Sequence, residues 1–139
     1  MSMNSRRLRC YRFLTRDDWR LMEEKAVRLT FEKDQEIFRE GTRAPDLYII
    51  RKGEVRVEVS RLGDPEVIHR LGEGEFLGIM SFLDDSPANV SVVADGDVEL
   101  DFLDHFSMHA LMMSTSGFGS RFYMTLAVIL AQRLRESAE

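Results

Sequence analysis

Short runs in which apolar and polar residues alternate, each closed by a turn signal, set the narrowest limit on how this chain can fold. Leu47 and Ile49 begin the pattern, followed by Val55, Val57 and Val59 between Glu54, Arg56 and Glu58. Val90, Val92 and Ala94 repeat it, as do Val98, Leu100 and Phe102 between Glu99 and Asp101. Side chains of a strand point alternately to its two faces, so period two marks half-buried strands. Turn formers divide the runs at Lys52-Gly53, Gly63-Asp64-Pro65, Gly72 to Gly74, Asp84 to Pro87 and Asp95-Gly96-Asp97. Strands this short and this closely spaced predict a small barrel or jelly roll, a mainly β fold. Gly41, Gly53 and Gly78 are expected to resist substitution, because tight barrel turns need backbone angles or approaches that a Cβ forbids.

Helices are expected before and after the β region. Thr15 and Asp18 have the spacing of a capping box, and Trp19, Met22, Ala26 and Leu29 then share one helical face. Near the other end Phe118, Phe122, Leu126, Ile129, Leu130 and Leu134 recur at helical spacing. The predicted order is helix, barrel, helices. One domain over residues 12–136 is expected, behind a flexible N-terminus over residues 1–11.

Composition excludes several function classes. At 44% hydrophobic and 31% charged residues the chain is ordinary globular protein. No run reaches the roughly 18 apolar residues of a membrane span, and the N-terminus lacks an apolar signal core. A soluble, cytoplasmic protein is expected. Cys10 is the only cysteine, so neither an intrachain disulfide nor a dithiol motif can form. A net charge of −5 argues against a nucleic-acid surface, which needs a basic stripe. The basic cluster Arg6, Arg7, Arg9, Arg12 and Arg16 is read as a solvated terminus.

The segment from Gly72 to Ala94, GEGEFLGIMSFLDDSPANVSVVA, has the layout of a phosphate-cradling loop. Gly72, Gly74 and Gly78 let the backbone turn tightly, and Ile79 to Leu83 can begin a helical turn with free amides. Asp84, Asp85, Ser86 and Pro87 then form a turn ahead of the next strand. This segment resembles the phosphate-binding cassette of the cyclic-nucleotide-binding domain family. Upstream, EGTRAPDLYIIRKGEVRVEV is similar to that family's opening hairpin, and FLTRDDWRLMEEKAVRLTFEKDQEIFREG to its leading helix and first strand. VELDFLDHFSMHALM resembles its last strand and the start of its trailing helices. The match covers about residues 12 to 136.

The resemblance implies a β jelly roll with N- and C-terminal helices, acting as a regulatory sensor without catalysis. It places the family's Gly on Gly78, its Glu on Ile79, its Pro on Pro87 and its Arg on Ala88. In the family the Arg neutralises the cyclic phosphate and the Glu accepts the ribose 2′-hydroxyl. Charge-assisted hydrogen bonds are worth about 1.5–3 kcal/mol each, so losing both costs roughly 3–6 kcal/mol, or about two to four powers of ten in affinity. The cassette residues expected at a ligand are Gly78, Ile79, Met80, Ser81, Ala88, Asn89 and Val90. Two function classes stay open. One is a module with a filled or repurposed pocket that contacts a partner or a small nucleotide-like or apolar molecule. The other is a genuine cyclic-nucleotide sensor that uses the backbone cradle with an Arg from elsewhere, the candidates being Arg43, Arg70 and Arg121.

Enzyme chemistry finds no support in the sequence. His105 and His109 are four apart, but no third or fourth metal ligand is evident, and His69 stands alone beside Arg70. Ser81 lies in no Gly-x-Ser-x-Gly elbow, and Asp84 and Asp85 read as turn formers. No catalysis, metal or cofactor is expected. Family members that regulate transcription carry a helix-turn-helix after the trailing helix, whereas this sequence stops at Glu139; taken as a complete product, it is not expected to bind DNA. Phe122, Leu126, Ile129 and Leu130 are expected to line a dimer helix, since Tyr123, Ala127, Ala131 and Leu134 widen its apolar surface. The resemblance implies the same pairing of twin helices as in catabolite-activator-type members. The expected partner is therefore a second copy or another protein.

Overall fold

A computed structural model describes residues 11–138. Arg6, Arg7, Arg9 and Cys10 lie outside the described residues. The described chain forms two compact units, one of strands over residues 26–105 and one of helices over residues 11–25 and 106–138.

In the strand unit the period-two runs become two four-stranded antiparallel sheets. One contains β1 (Val27–Phe31), β8 (Val98–Leu103), β3 (Leu47–Lys52) and β6 (Phe76–Leu77), in that order. The other contains β2 (Glu36–Phe38), β7 (Ser91–Ala94), β4 (Val55–Arg61) and β5 (Asp64–Leu71). The chain repeatedly crosses between the sheets, as in a jelly roll. Both sheets contribute to one apolar cluster: Ile50, Leu77, Val98 and Leu100 from the first, Val55, Val57, Leu71, Val92 and Ala94 from the second. This apolar burial is the main force holding the sheets together.

The crossing from β3 to β4 depends on Gly53, at φ +90°, where a Cβ would come within 2.4 Å of the Asp97 carbonyl oxygen. Strand β5 is an edge, exposed along its length except at Leu71, and it carries Pro65 where a missing N–H does least harm. Asp101, read from alternation as an outward polar residue, is buried. Arg28 Nε at 2.8 Å and Arg51 Nε at 3.4 Å supply its countercharge. Phe102 is only half-buried, tilted against Tyr48 with ring centroids 5.4 Å apart.

The helical unit opens on Tyr11, which is 8% exposed and meets Trp19 edge-on at 5.4 Å. Helix α1 (Arg16–Lys25) begins with the expected capping box. Thr15 N–H donates to Asp18 Oδ2 at 2.9 Å, and Asp18 N–H donates to Thr15 Oγ1 at 3.0 Å. The helix stops earlier than its apolar spacing predicts. Leu29 belongs to β1 opposite Leu100, because the β-branched and aromatic run Val27 to Phe31 finds a pairing partner in β8. Helix α3 (His105–Ser114) and helix α4 (Phe118–Ala138) follow the strands in the chain. Phe118, Phe122, Thr125, Leu126 and Ile129 of α4 are buried, Leu130 is half-buried and Leu134 is exposed. Thr125 satisfies its buried hydroxyl by donating to the Arg121 carbonyl at 2.8 Å.

Candidate functional site

The site is built where β6 hands the chain to a short helix. Pairing of Leu77 with Tyr48 and of Phe76 with Ile49 fixes the end of β6. Gly78 follows at φ +83°, where a Cβ would lie 2.7 Å from the Asp46 carbonyl oxygen. Only glycine fits such a conformation and approach without strain. Helix α2 (Ile79–Asp84) is anchored by buried Ile79 and Phe82 and ends at Asp85, whose backbone is left-handed at φ +58°. Asp85 N–H donates to the Ser81 carbonyl at 2.8 Å, closing the last turn. Asp84 then receives the Ser86 N–H at 3.0 Å and its hydroxyl at 2.5 Å, the Asx turn expected of a short polar residue ahead of a proline. These bonds hold the Asp84 carboxyl below the usual carboxylate range.

Past Pro87 the chain is tied to the loop that precedes β3. Gly41 N–H donates to the Ala88 carbonyl at 2.7 Å, and Ala88 N–H donates to the Thr42 carbonyl at 2.9 Å. Between this pair and α2 lies a shallow, open depression lined by Phe38, Thr42, Ala44, Asp46, Tyr48, Gly78, Ser81 and Ala88. The floor is aromatic: Phe38 and Tyr48 stack at 5.9 Å with 27° between their planes. Burial, and then the nearby Asp46 carboxylate, raise the Tyr48 phenol above its ordinary pKa, so it stays a neutral donor. Asp46 Oδ1 accepts the His105 N–H at 2.9 Å, and the His105 ring meets Phe82 at 5.4 Å. The lining residues include Thr42, Tyr48, Ser81 and Asp46, and no Lys or Arg.

The seven residues expected at a ligand divide into distinct environments. Gly78, Ser81 and Ala88 line the depression. Ile79 is 2% exposed and does not line it. Met80, at 49% exposure, and Asn89 face solvent, and Val90 packs against the core cluster of the sheets. Phe38, Thr42, Ala44, Asp46 and Tyr48 complete the lining without having been singled out from the sequence. Thr42 to Tyr48 belong to the TRAPDLY stretch of the hairpin that carried the resemblance, so the signal was present at the level of the motif.

The three candidate arginines are all engaged. Arg43, whose neighbours Thr42 and Ala44 line the depression, grips Asp85, with Nη2–Oδ2 at 2.5 Å and Nε–Oδ1 at 3.4 Å. That hydrogen bonding lowers the Asp85 pKa and raises that of Arg43. Arg70 pairs with Asp95, and Arg121 with Asp18. Among the described residues no three His, Cys, Asp or Glu side chains gather as a metal site. No helix among them is long and apolar enough to cross a membrane.

The chain is similar to the cyclic AMP receptor protein of Thermus thermophilus, with 34% identity over 111 residues that cover 79% of this chain and 50% of that protein. The crystal structure of the Thermus thermophilus catabolite activator protein superposes with a TM-score of 0.78 at 30% identity, covering 93% of this chain and 59% of that one. A cyclic nucleotide-binding domain from Methylobacillus flagellatus shares the fold at a TM-score of 0.83 and 24% identity, covering 89% of this chain and 70% of that one. The chain thus spans about half the length of the first of these relatives. The family model described as the cyclic nucleotide-binding domain matches residues 28–115, from β1 through α3 and including the whole depression. The chain belongs to the cyclic nucleotide-binding domain family.

Proposed function

We propose that this chain is a non-catalytic regulatory module whose pocket binds cyclic AMP and cyclic GMP far more weakly than a cassette with its Glu and Arg intact. The observation that carries this reading is the lining of the depression. Ala88 stands where the family pattern places its phosphate-gripping Arg, and no Lys or Arg stands in the lining to replace it. A cyclic phosphate entering there would meet no lining cation to neutralise it. Ile79, at the Glu position, turns an apolar side chain into the protein and leaves the ribose hydroxyl without its acceptor. Similarity to a cyclic AMP receptor protein and to a regulatory subunit of a cyclic AMP-dependent protein kinase supports a regulatory role.

The module extends over residues 12–136, works in the cytoplasm and signals through a second copy of itself or a partner protein. Calorimetry with cyclic AMP and cyclic GMP tests the site. Wild type is expected to bind weakly, and Ala88→Arg to gain at least about tenfold, the value of one charge-assisted contact. Ala88 suits this test because it lines the depression and is half-buried, whereas a Glu at position 79 would place a carboxylate in an apolar site. An Ala88→Arg variant that folds and gains nothing would mean that the depression is not the nucleotide site.

A further inference from the structure

We infer that the depression selects an uncharged, ring-bearing ligand of the nucleoside or nucleobase class over the same molecule carrying a phosphate. This rests on reading the depression as the family's ligand site, and it names the class of ligand that the altered site takes.

The first ground is that main-chain donors of the cassette are engaged, not only that its gripping side chains are missing. Ala88 N–H donates to the Thr42 carbonyl at 2.9 Å, Asp85 N–H to the Ser81 carbonyl at 2.8 Å and Phe82 N–H to the Gly78 carbonyl at 3.1 Å. An anionic oxygen could reach these amides only by breaking a bond the protein already makes. The segment that carries Arg43 contributes every second residue to the lining, Thr42, Ala44, Asp46 and Tyr48, so Arg43 is turned away, and it pairs with Asp85. A phosphate moved from water into these surroundings gives up hydration and receives neither a lining cation nor the amide of position 88 in return.

The second ground is what the lining offers instead. Apart from Asp46 and the two aromatic residues, every lining residue is small: Thr42, Ala44, Gly78, Ser81 and Ala88. Phe38 and Tyr48 stack on each other and present the broad apolar surface of the site. Small residues beside aromatic ones suit a planar heterocycle, which gains contact with the rings and loses little hydration on leaving water. Tyr48, kept neutral by burial, supplies a phenol that can donate to a ring nitrogen or an exocyclic oxygen. Recognition by rings and a hydroxyl needs no countercharge, so salt should not weaken it.

The test uses the full chain with adenosine and cyclic AMP, which share base and ribose and differ in the phosphate. Calorimetry of wild type should give a dissociation constant for adenosine at least about threefold lower than for cyclic AMP, and added salt should leave the adenosine value unchanged. Proton NMR locates the ligand: adenosine should shift the ring resonances of Phe38 and Tyr48 and leave those of Trp19 in place. Ala88→Arg should invert the preference, because it adds a cation to the lining and keeps the rings. Tyr48→Leu should weaken adenosine about two- to tenfold, the strength of an aromatic contact. Should that variant lose its thermal transition, the ring shifts and the Ala88→Arg inversion decide the matter without it. Cyclic AMP that binds weakly but no less tightly than adenosine overturns the inference and leaves weak cyclic-nucleotide binding standing. Absence of adenosine binding at millimolar concentration, ring resonances that do not move, or a folded Ala88→Arg variant that still prefers adenosine would each do the same. Low-micromolar binding of cyclic AMP by wild type would instead overturn the functional reading on which the inference rests.

Discussion

Gly78 and Gly53 are the residues at which backbone geometry leaves least choice, and the consequence can be measured. Each combines a positive φ with a carbonyl oxygen where a Cβ would stand, 2.7 Å away at Gly78 and 2.4 Å at Gly53, whereas Gly41 has a positive φ and open space. Left-handed strain alone costs about 1 kcal/mol or more, and a clash with backbone adds to it. Gly78→Ala and Gly53→Ala should therefore each destabilise by more than about 2 kcal/mol, and Gly41→Ala by about 1 kcal/mol. Urea midpoints would check the order, and equal shifts at all three positions would refute it. These glycines were legible in the sequence as turn residues, but their ranking was not, since it depends on which distant carbonyl approaches. The same holds for Ile79. The cassette pattern located it, yet only the fold shows it buried and absent from the lining to which Gly78, Ser81 and Ala88 contribute.

Elements were read most securely where a local pattern agrees with the tertiary contact. The capping box at Thr15 and Asp18 is such a case, but the sequence could not reveal that Asp18 has a second partner 103 positions away. Arg121 donates from Nε at 2.7 Å and from Nη2 at 2.8 Å to a carboxylate that is 1% exposed. The Arg121 hydrogen bonds, joined by those from Thr15, hold the Asp18 pKa below its ordinary value against the opposing effect of burial. A carboxylate with a depressed folded pKa adds stability that is present above its unfolded pKa of about 3.9 and is lost as pH falls through the folded value. Acidification below about pH 4 should therefore loosen α1, as read by fluorescence of Trp19, the single tryptophan. Asp18→Asn should cost about 1–3 kcal/mol at neutral pH and remove this part of the acid dependence. An unchanged acid profile in that variant would contradict the assignment. The end of α1 was misread for the opposite reason: Leu29 keeps helical spacing with Trp19 and Met22, but pairing with β8 outweighs that periodicity.

At the scale of the whole molecule, assembly and ligand response are the two properties a regulatory module must supply. The apolar spacing of α4 was legible, but the division of its faces was not. Phe122, Leu126 and Ile129 are already buried within one chain, and Tyr123, Ala127, Ala131 and Leu134 are exposed. A homodimer through α4 must then use this second stripe, whose members recur at helical spacing. Light scattering after size exclusion should show a dimer at tens of micromolar that Leu134→Glu dissociates. A wild-type monomer at that concentration would contradict it. Leu134 suits this test because it is exposed, whereas a charge at buried Ile129 would disturb the helix itself. The jelly roll and the position of the cassette followed from alternation, turns and motif order, whereas the lining of the pocket required the fold, because Thr42, Ala44, Asp46 and Tyr48 come from a segment thirty or more positions before Gly78. Ligand affinity is the direct measure of what that pocket does. Titration calorimetry of the wild-type chain with cyclic AMP should give a dissociation constant weaker than about 100 µM, the consequence of losing two charge-assisted contacts, and a value in the low micromolar range would contradict the proposed function.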